Sequence, residues 1–245
     1  MTVISPDLWV TEFVNAGLSG NVQVFQGFSS GQSAAGDPLN FFFDTQALYL
    51  SSSYDSLDVV AGNLNPLLPG TTHMGAGDYN DGHVYAVIEH WQGCGASSDP
   101  IFIAVFNAQT LAAEQSIEIS AYIPEASGIA IDYDTGLALV SSFCDAHNLY
   151  VFRTSDWRFF GTIPLALPVP GNQGLAYKNG FVYCAGTSGD LYGLRLSDRT
   201  MKLLMQAPMP GEYEGIDFHG PQLRWLLNRS SESHVLYSYT PVYSS

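Results

Sequence analysis

Five unlike polar residues fall at corresponding points of a recurring apolar pattern in this chain: Asn40, His73, Glu125, Asn172 and Glu214. Gln173 and Tyr213 stand beside two of them, and Glu89-His90-Trp91, His147 and Arg229 follow apolar runs further along each repeat. Carboxylates and amide carbonyls are hard oxygen ligands, so Glu125, Asn172 and Glu214, with a backbone carbonyl and water, form the set expected to hold Ca²⁺. Such a cation polarises a lactone, ester or phosphate oxygen and lowers the pKa of a bound water. His73 titrates near neutrality and is expected as a general base or a nitrogen ligand. Without a metal, Glu125 and Glu214 facing one another would repel, and one would keep its proton as an acid beside a base. That arrangement suits glycoside cleavage, elimination or cyclisation alike. The catalytic set expected is therefore His73, Glu125 and Glu214. Asn40, Glu89, His90, Trp91, His147, Asn172, Gln173, Tyr213 and Arg229 are expected around the ligand. Each residue also has a structural role open to it: Glu214 as an acceptor of backbone N–H groups, His73 as a strand cap.

The elements that would position these residues repeat. One unit reads Gly128-Ile129-Ala130-Ile131-Asp132, a turn at Asp134-Thr135-Gly136, then Leu137-Ala138-Leu139-Val140-Ser141, a polar loop and Leu149-Tyr150-Val151-Phe152. Comparable units begin at Gly75, Gly174 and Gly215, and a degraded one at Asn40. Asn-Gly, Asp-Gly and Thr-Gly supply the positive φ of tight hairpins. The spacing, roughly 36 to 54 residues, brackets a four-stranded propeller blade. A lone sheet of this kind cannot bury both faces, whereas sheets stacked around an axis can. The chain thus reads as one all-β domain over residues 1–245, a β-propeller of five blades, with six as the alternative. The stretches Leu8–Phe13 and Val22–Phe25 are expected to complete the blade begun by the C-terminal strands and close the ring. Thr110–Gln115 reads as the approach to an outer strand. Asp78, Asp132 and Asp217 end innermost strands and are expected to bond turn amides at the far face.

Composition narrows the partners. The chain carries 8 basic and 23 acidic residues, a net charge of −15, which repels phosphates and argues against nucleic acid. With 46% apolar residues and only 13% charged ones it is the reverse of a disordered chain. No apolar run reaches a membrane span. Met1 is followed by neither a basic region nor a long apolar core, so no signal peptide is read and the cytoplasm is expected, although scarce lysine with abundant Ser, Thr, Gly and Tyr resembles secreted proteins. The three cysteines, Cys94, Cys144 and Cys184, show no zinc spacing.

The blades resemble the broad propeller group that includes the SMP-30/gluconolactonase, NHL, strictosidine-synthase-like and SdiA-regulated proteins. Gly128-Ile129-Ala130, Gly174-Leu175-Ala176 and Glu214-Gly215-Ile216-Asp217-Phe218 carry the resemblance, with His73-Met74-Gly75. In such propellers the innermost strands start at the same face as the loops between second and third strands. The resemblance therefore implies that Asp37, Asn40, His73, Glu125, Ser127, Asn172, Gln173, Glu212 and Glu214 ring one mouth. Ser53-Tyr54-Asp55, Glu89-His90-Trp91, Asp145, His147, Asp190 and Asn228-Arg229 would form its outer wall, with Tyr54, Trp91, Phe143 and Tyr213 available to stack on a sugar or planar ligand. Cys94 and Cys144 fall in equivalent loops of adjacent blades, where a disulfide is one reading and two unpaired small residues the other.

Because the strand starts differ from blade to blade, a single asymmetric site is expected rather than the repeated sites of a multivalent lectin. The reading is a small-molecule enzyme acting in the axial mouth. Calcium-assisted lactone or ester hydrolysis is placed first and a lyase or cyclase reaction second. The alternatives are a single-site glycan or small-ligand binder and a protein-interaction scaffold, to which an acidic surface would draw a basic partner.

Overall fold

A computed structural model of the chain describes residues 2–14, 25–53, 58–144, 146–207, 211–230 and 233–243, with side chains described over 25–53, 58–144, 146–207, 211–228 and 235–239. Among the described residues no helix forms; twenty strands pair into five antiparallel sheets of four. After β1 (Thr2–Val14), the first sheet comprises β2 (Phe25–Gln32), β3 (Pro38–Asp44), β4 (Ala47–Ser51) and β5 (Val59–Asn63). The second comprises β6 (His73–Asn80), β7 (His83–Glu89), β8 (Ile101–Asn107) and β9 (Ala113–Glu118). The third runs β10 (Gly128–Asp132), β11 (Leu137–Ser141), β12 (Ala146–Arg153) and β13 (Phe159–Val169). The fourth runs β14 (Asn172–Lys178), β15 (Phe181–Gly186), β16 (Asp190–Arg195) and β17 (Thr200–Gln206). The fifth joins β18 (Glu212–His219), β19 (Gln222–Ser230) and β20 (Ser233–Tyr243) to β1, which pairs with β20 from Thr2↔Tyr243 to Val14↔Ser233. This is a five-bladed β-propeller.

Strand alternation explains the core. Successive side chains point to opposite faces of a sheet, so each blade feeds two cores, one toward each neighbour. Ile129, Ile131, Ala138 and Val140 pack against the second blade's Val87, Ile103 and Val105. The alternate residues Ala130, Leu139 and Val151 pack against the fourth blade's Leu175, Val182 and Cys184. Five such clusters fill the five gaps. Each fully buried Val, Leu, Ile or Phe contributes roughly 1.5–3 kcal/mol relative to exposure. The hairpins turn where expected: Asn179 and Gly180, with φ of 50° and 79°, close β14 onto β15.

Two expectations about the first blade are corrected. Asn40–Asp44 is not an innermost strand: it belongs to β3, and β2 lies inside it, with Ser30 opposite Asn40. Of the N-terminal stretches, Leu8–Phe13 completes the fifth blade within β1; Val22–Val24 lie outside the described residues, and Phe25 opens the first blade. The inner strand β2 gives little local signal because glycine and serine interrupt it, as FQGFSSGQ, leaving no continuous apolar run. The residues after Thr110 do become an outer strand, β9.

The innermost strands approach one another through glycines. A Cβ on Gly215 would sit 2.4 Å from the Gly27 Cα, and one on Gly174 would sit 2.9 Å from the Gly215 Cα. Backbones this close admit no side chain at the waist, so polar residues on either side of it serve two separate ends of the axis.

Candidate active site at one end of the axis

The starts of β2, β6, β14 and β18, with the loops following β7 and β11, surround a cavity of about 410 Å³. Gln26, Thr45, His73, Glu89, Trp91, Glu125, Ser127, Phe143, Gln173 and Glu212 line it. Gln26, Ser127 and Gln173 each precede a waist glycine, Gly27, Gly128 and Gly174, so they stand next to the narrowest point of the axis.

His73 opens β6 opposite Glu89, the last residue of β7. Its Nε2 lies 2.9 Å from Gln26 Oε1; with that oxygen as acceptor the proton sits on Nε2, and the Nδ1 lone pair is left open. Nδ1 faces Glu89 Oε1 across 4.0 Å, too far for a direct hydrogen bond, and has no other partner among the described residues. Burial pushes the His73 pKa down to about 4, so the imidazole is neutral at pH 7. Glu89 Oε2 accepts the Ala126 N–H at 2.8 Å. Burial, with a smaller contribution from the Glu125 charge, raises the Glu89 pKa to about 8 against the opposing Ala126 bond, so this carboxyl holds a proton at neutrality. A neutral base and a protonated acid thus face one gap.

The wall beside them is aromatic. Trp91 lies 6.2 Å from the His73 ring and meets Phe143 edge-on at 5.7 Å. Trp91 and Phe143 stand on neighbouring loops joined by the Cys94–Cys144 disulfide, with a Cα–Cα distance of 5.6 Å. Glu125 anchors the second loop: its carboxylate accepts the Phe143 N–H at 2.7 Å and the Cys144 N–H at 3.1 Å. Burial raises its pKa and these two bonds oppose the rise.

The other residues singled out in the sequence take different places. Gln173 reaches the cavity and donates from Nε2 to Glu214 Oε1 at 3.3 Å. Glu214 is fully buried next to it and is not part of the cavity lining. Burial and then the Glu212 charge push its pKa well up, while Asn228 works weakly against the rise. Asn172 is turned into the sheet. With its amide oriented to suit its neighbours, it accepts from Ser141 Oγ at 2.6 Å and donates to Ala185 O and Gly174 O at 3.2 Å. Glu125 and Asn172 therefore already use their oxygens, and neither Asn172 nor Glu214 lines the cavity that Glu125 lines. The three do not fit one calcium site, and no step below is routed through a metal.

Asn40 lies near the opposite end of the axis, buried between Ser30 and Ser51, because it belongs to the second strand of its blade. Tyr213 is core rather than mouth, 4.7 Å from Trp225. His90 borders the Trp91 loop without lining the cavity, and His147 is exposed on β12. The side chain of Arg229, and Tyr54, Asp55 and Asp145, lie outside the described residues. Gln26 and Thr45 were missed. Gln26 had a signal: Phe25-Gln26-Gly27-Phe28 matches Asn172-Gln173-Gly174-Leu175 in pattern.

At the far end, Asp132 bonds its own turn as expected, accepting from Asp134 N and Thr135 N at 3.1 Å. Asp78 and Asp217 instead reach the next blade as well. Asp78 accepts from Ile131 N at 2.7 Å, and Asp217 accepts from Ser30 N at 2.6 Å and Ser29 Oγ at 3.0 Å.

The fold and the axial cavity define a class, a five-bladed propeller with an asymmetric pocket at this end of its axis. No family model and no curated protein matches the chain. Among solved structures the chain is similar to the glutaminyl cyclase of Myxococcus xanthus, with a TM-score of 0.66 at 12% identity, covering 99% of this chain and 98% of that one. At that identity the likeness speaks for the fold. It supports the propeller part of the resemblance drawn from sequence and does not extend to the gluconolactonase, NHL and related group.

Proposed function

We propose that the protein is a cyclase that closes a ring on a small amide substrate in the axial cavity, with a terminal glutaminyl group as the first substrate to try. The observation that carries this is the pairing of neutral His73 Nδ1 with the protonated Glu89 carboxyl across 4.0 Å. Ring closure of this kind needs both partners at once. As the substrate amine attacks its own side-chain carboxamide carbon, a C–N bond forms and His73 Nδ1, which is buried before substrate binds and has to be uncovered by a turn of its ring, takes the amine proton. As the old C–N bond breaks, the Glu89 carboxyl protonates the leaving nitrogen, and the products are a lactam and ammonia. The proton then returns from His73 to Glu89, which restores both groups. Gln26 fixes the imidazole tautomer, and the Trp91–Phe143 wall limits water, which favours the internal nucleophile over hydrolysis. The same pair would serve ester hydrolysis. Cyclisation is preferred because a glutaminyl cyclase shares this fold.

The test is to incubate the protein with a peptide bearing N-terminal glutamine and follow ammonia release and the matching mass loss. Glu89→Gln keeps an acceptor for the Ala126 N–H and removes the acid. It should lower kcat by roughly 10²–10⁴-fold with an unchanged circular dichroism spectrum. Full activity in that variant, or no ammonia from the parent protein, sinks the proposal.

A further inference from the structure

Acidic residues occur at both ends of the axis, but the described cations are confined to one end. At the cavity end Glu212 and Glu125 line the wall, with Asp99 on a loop and Asp190 at the start of β16, while burial disfavours the charged forms of Glu89 and Glu214. Every Lys and Arg whose side chain is described belongs to the other end. Arg153 and Arg158 flank Asp156, and Arg195 pairs with Asp198 at 2.7 Å. Lys178 donates to Gly220 O, Arg224 lies opposite Asp217, and Arg199 and Lys202 belong to the turn between β16 and β17 and the first half of β17. Arg229 alone has its backbone at the cavity end, at the close of β19. Glu212 is an exposed carboxylate lining the cavity.

We propose that this end admits cationic substrates in preference to anionic ones and that Glu212 is the residue that sets the preference, a reading that rests on the ring closure proposed above for the same site. A cleft lined by charge of one sign raises the local concentration of the opposite charge and speeds its capture. Glu212, the exposed member of the group, is in position to meet the part of a substrate that projects from the cavity. For a glutaminyl peptide that part is the following residue. A basic residue there gains from the field and an acidic one is repelled. The gain appears in kcat/KM through association, and salt screens it.

Three probes test this: glutaminyl-lysine amide, glutaminyl-alanine amide and glutaminyl-glutamate amide. At low salt kcat/KM should favour the lysine probe over the glutamate probe by about tenfold, falling toward about twofold near 0.5 M salt. Glu212→Gln should cut the low-salt ratio by about threefold, whereas Asp81→Asn, the same charge change in a far-end turn, should leave it unaltered. A wild-type ratio within about twofold at low salt, or a Glu212→Gln ratio equal to wild type, overturns the charge selection. Turnover of the alanine probe reports separately on ring closure. If it is absent, calorimetric dissociation constants for the same three probes, with and without Glu212→Gln, decide the selection, and equal constants overturn it.

Discussion

The ring closure proposed for His73 and Glu89 depends on burial moving their ionisation in opposite directions. The imidazole goes down to about 4 and the carboxyl up to about 8, so both are uncharged over the same range of pH. Below that range His73 is protonated and cannot take a proton; above it Glu89 is ionised and cannot give one. Once corrected for ionisation of the substrate amine, which must be neutral to attack, the pH profile of kcat/KM should be flat through neutrality, with an acid limb near 4 and a basic limb near 8. A profile that instead rises through pH 8 would mean that Glu89 acts as a base and would reverse the roles. The residue types were legible in the sequence, since a histidine and a carboxylate that interrupt apolar strands invite this reading. Their roles were not. The sequence put Glu125 and Glu214 in the catalytic set and Glu89 only around the ligand, yet Glu125 holds two backbone N–H groups and Glu214 lies outside the cavity lining. Side-chain commitments of that sort depend on which backbone groups arrive nearby.

Two loops carry the aromatic wall, and neither has strand pairing of its own. Besides a few backbone bonds, such as His90 N to Ser98 O and Asn172 N to Phe143 O, both at 3.1 Å, they are tied by the Cys94–Cys144 link, which spans 50 residues, and by Glu125 beneath it. Replacing both cysteines with serine should cost about 2–4 kcal/mol, read in denaturant unfolding. If the proposed reaction takes place in this cavity, it should also raise KM more than it lowers kcat, because Trp91 and Phe143 form the wall a substrate would meet while His73 and Glu89 sit on paired strands. An unchanged KM would show that the wall holds without the link. Strands were legible wherever apolar residues alternate between hairpin turns, and this placed the innermost strand of four blades. It failed in the first blade, where small residues in β2 lie against the neighbouring backbones: a Cβ on Gly27 would sit 2.8 Å from the Ala76 Cα. A glycine required by a neighbouring blade has no local signature, so Gln26 went unread and Asn40 took its place.

Across the whole molecule, the ring is closed at the seam between the fifth, first and second blades. Asp217 spans the first joint by accepting Ser30 N and Ser29 Oγ, and the Ser29 hydroxyl also bears on Asp78. Burial raises both carboxyl pKa values, Asp217 to about 6 and Asp78 well above its ordinary value, the latter further lifted by the Asp217 charge. Raised folded-state values contribute stability that is complete below the unfolded pKa and is lost as pH rises through the folded one. The net charge of −15 adds self-repulsion in the same direction. The lowered His73 pKa works the other way as pH falls below 6.5, but the rise of Glu89 to about 8 is the larger shift and adds to that of the aspartates, so thermal unfolding should give a higher Tm at pH 5 than at pH 8. Asp217→Asn should lower Tm at pH 5, by a stability loss of about 1–3 kcal/mol for the disturbed buried bonds, and narrow the gap between the two pH values. Equal Tm at both would mean that the pair is ionised throughout. The sequence by itself determined the blade, the ring and its closure by the N-terminal strand, because alternation and turn chemistry are local properties that repeat. Only the tertiary structure decided which polar residues share a cavity and which are spent as acceptors, because that depends on contacts between blades far apart in the chain.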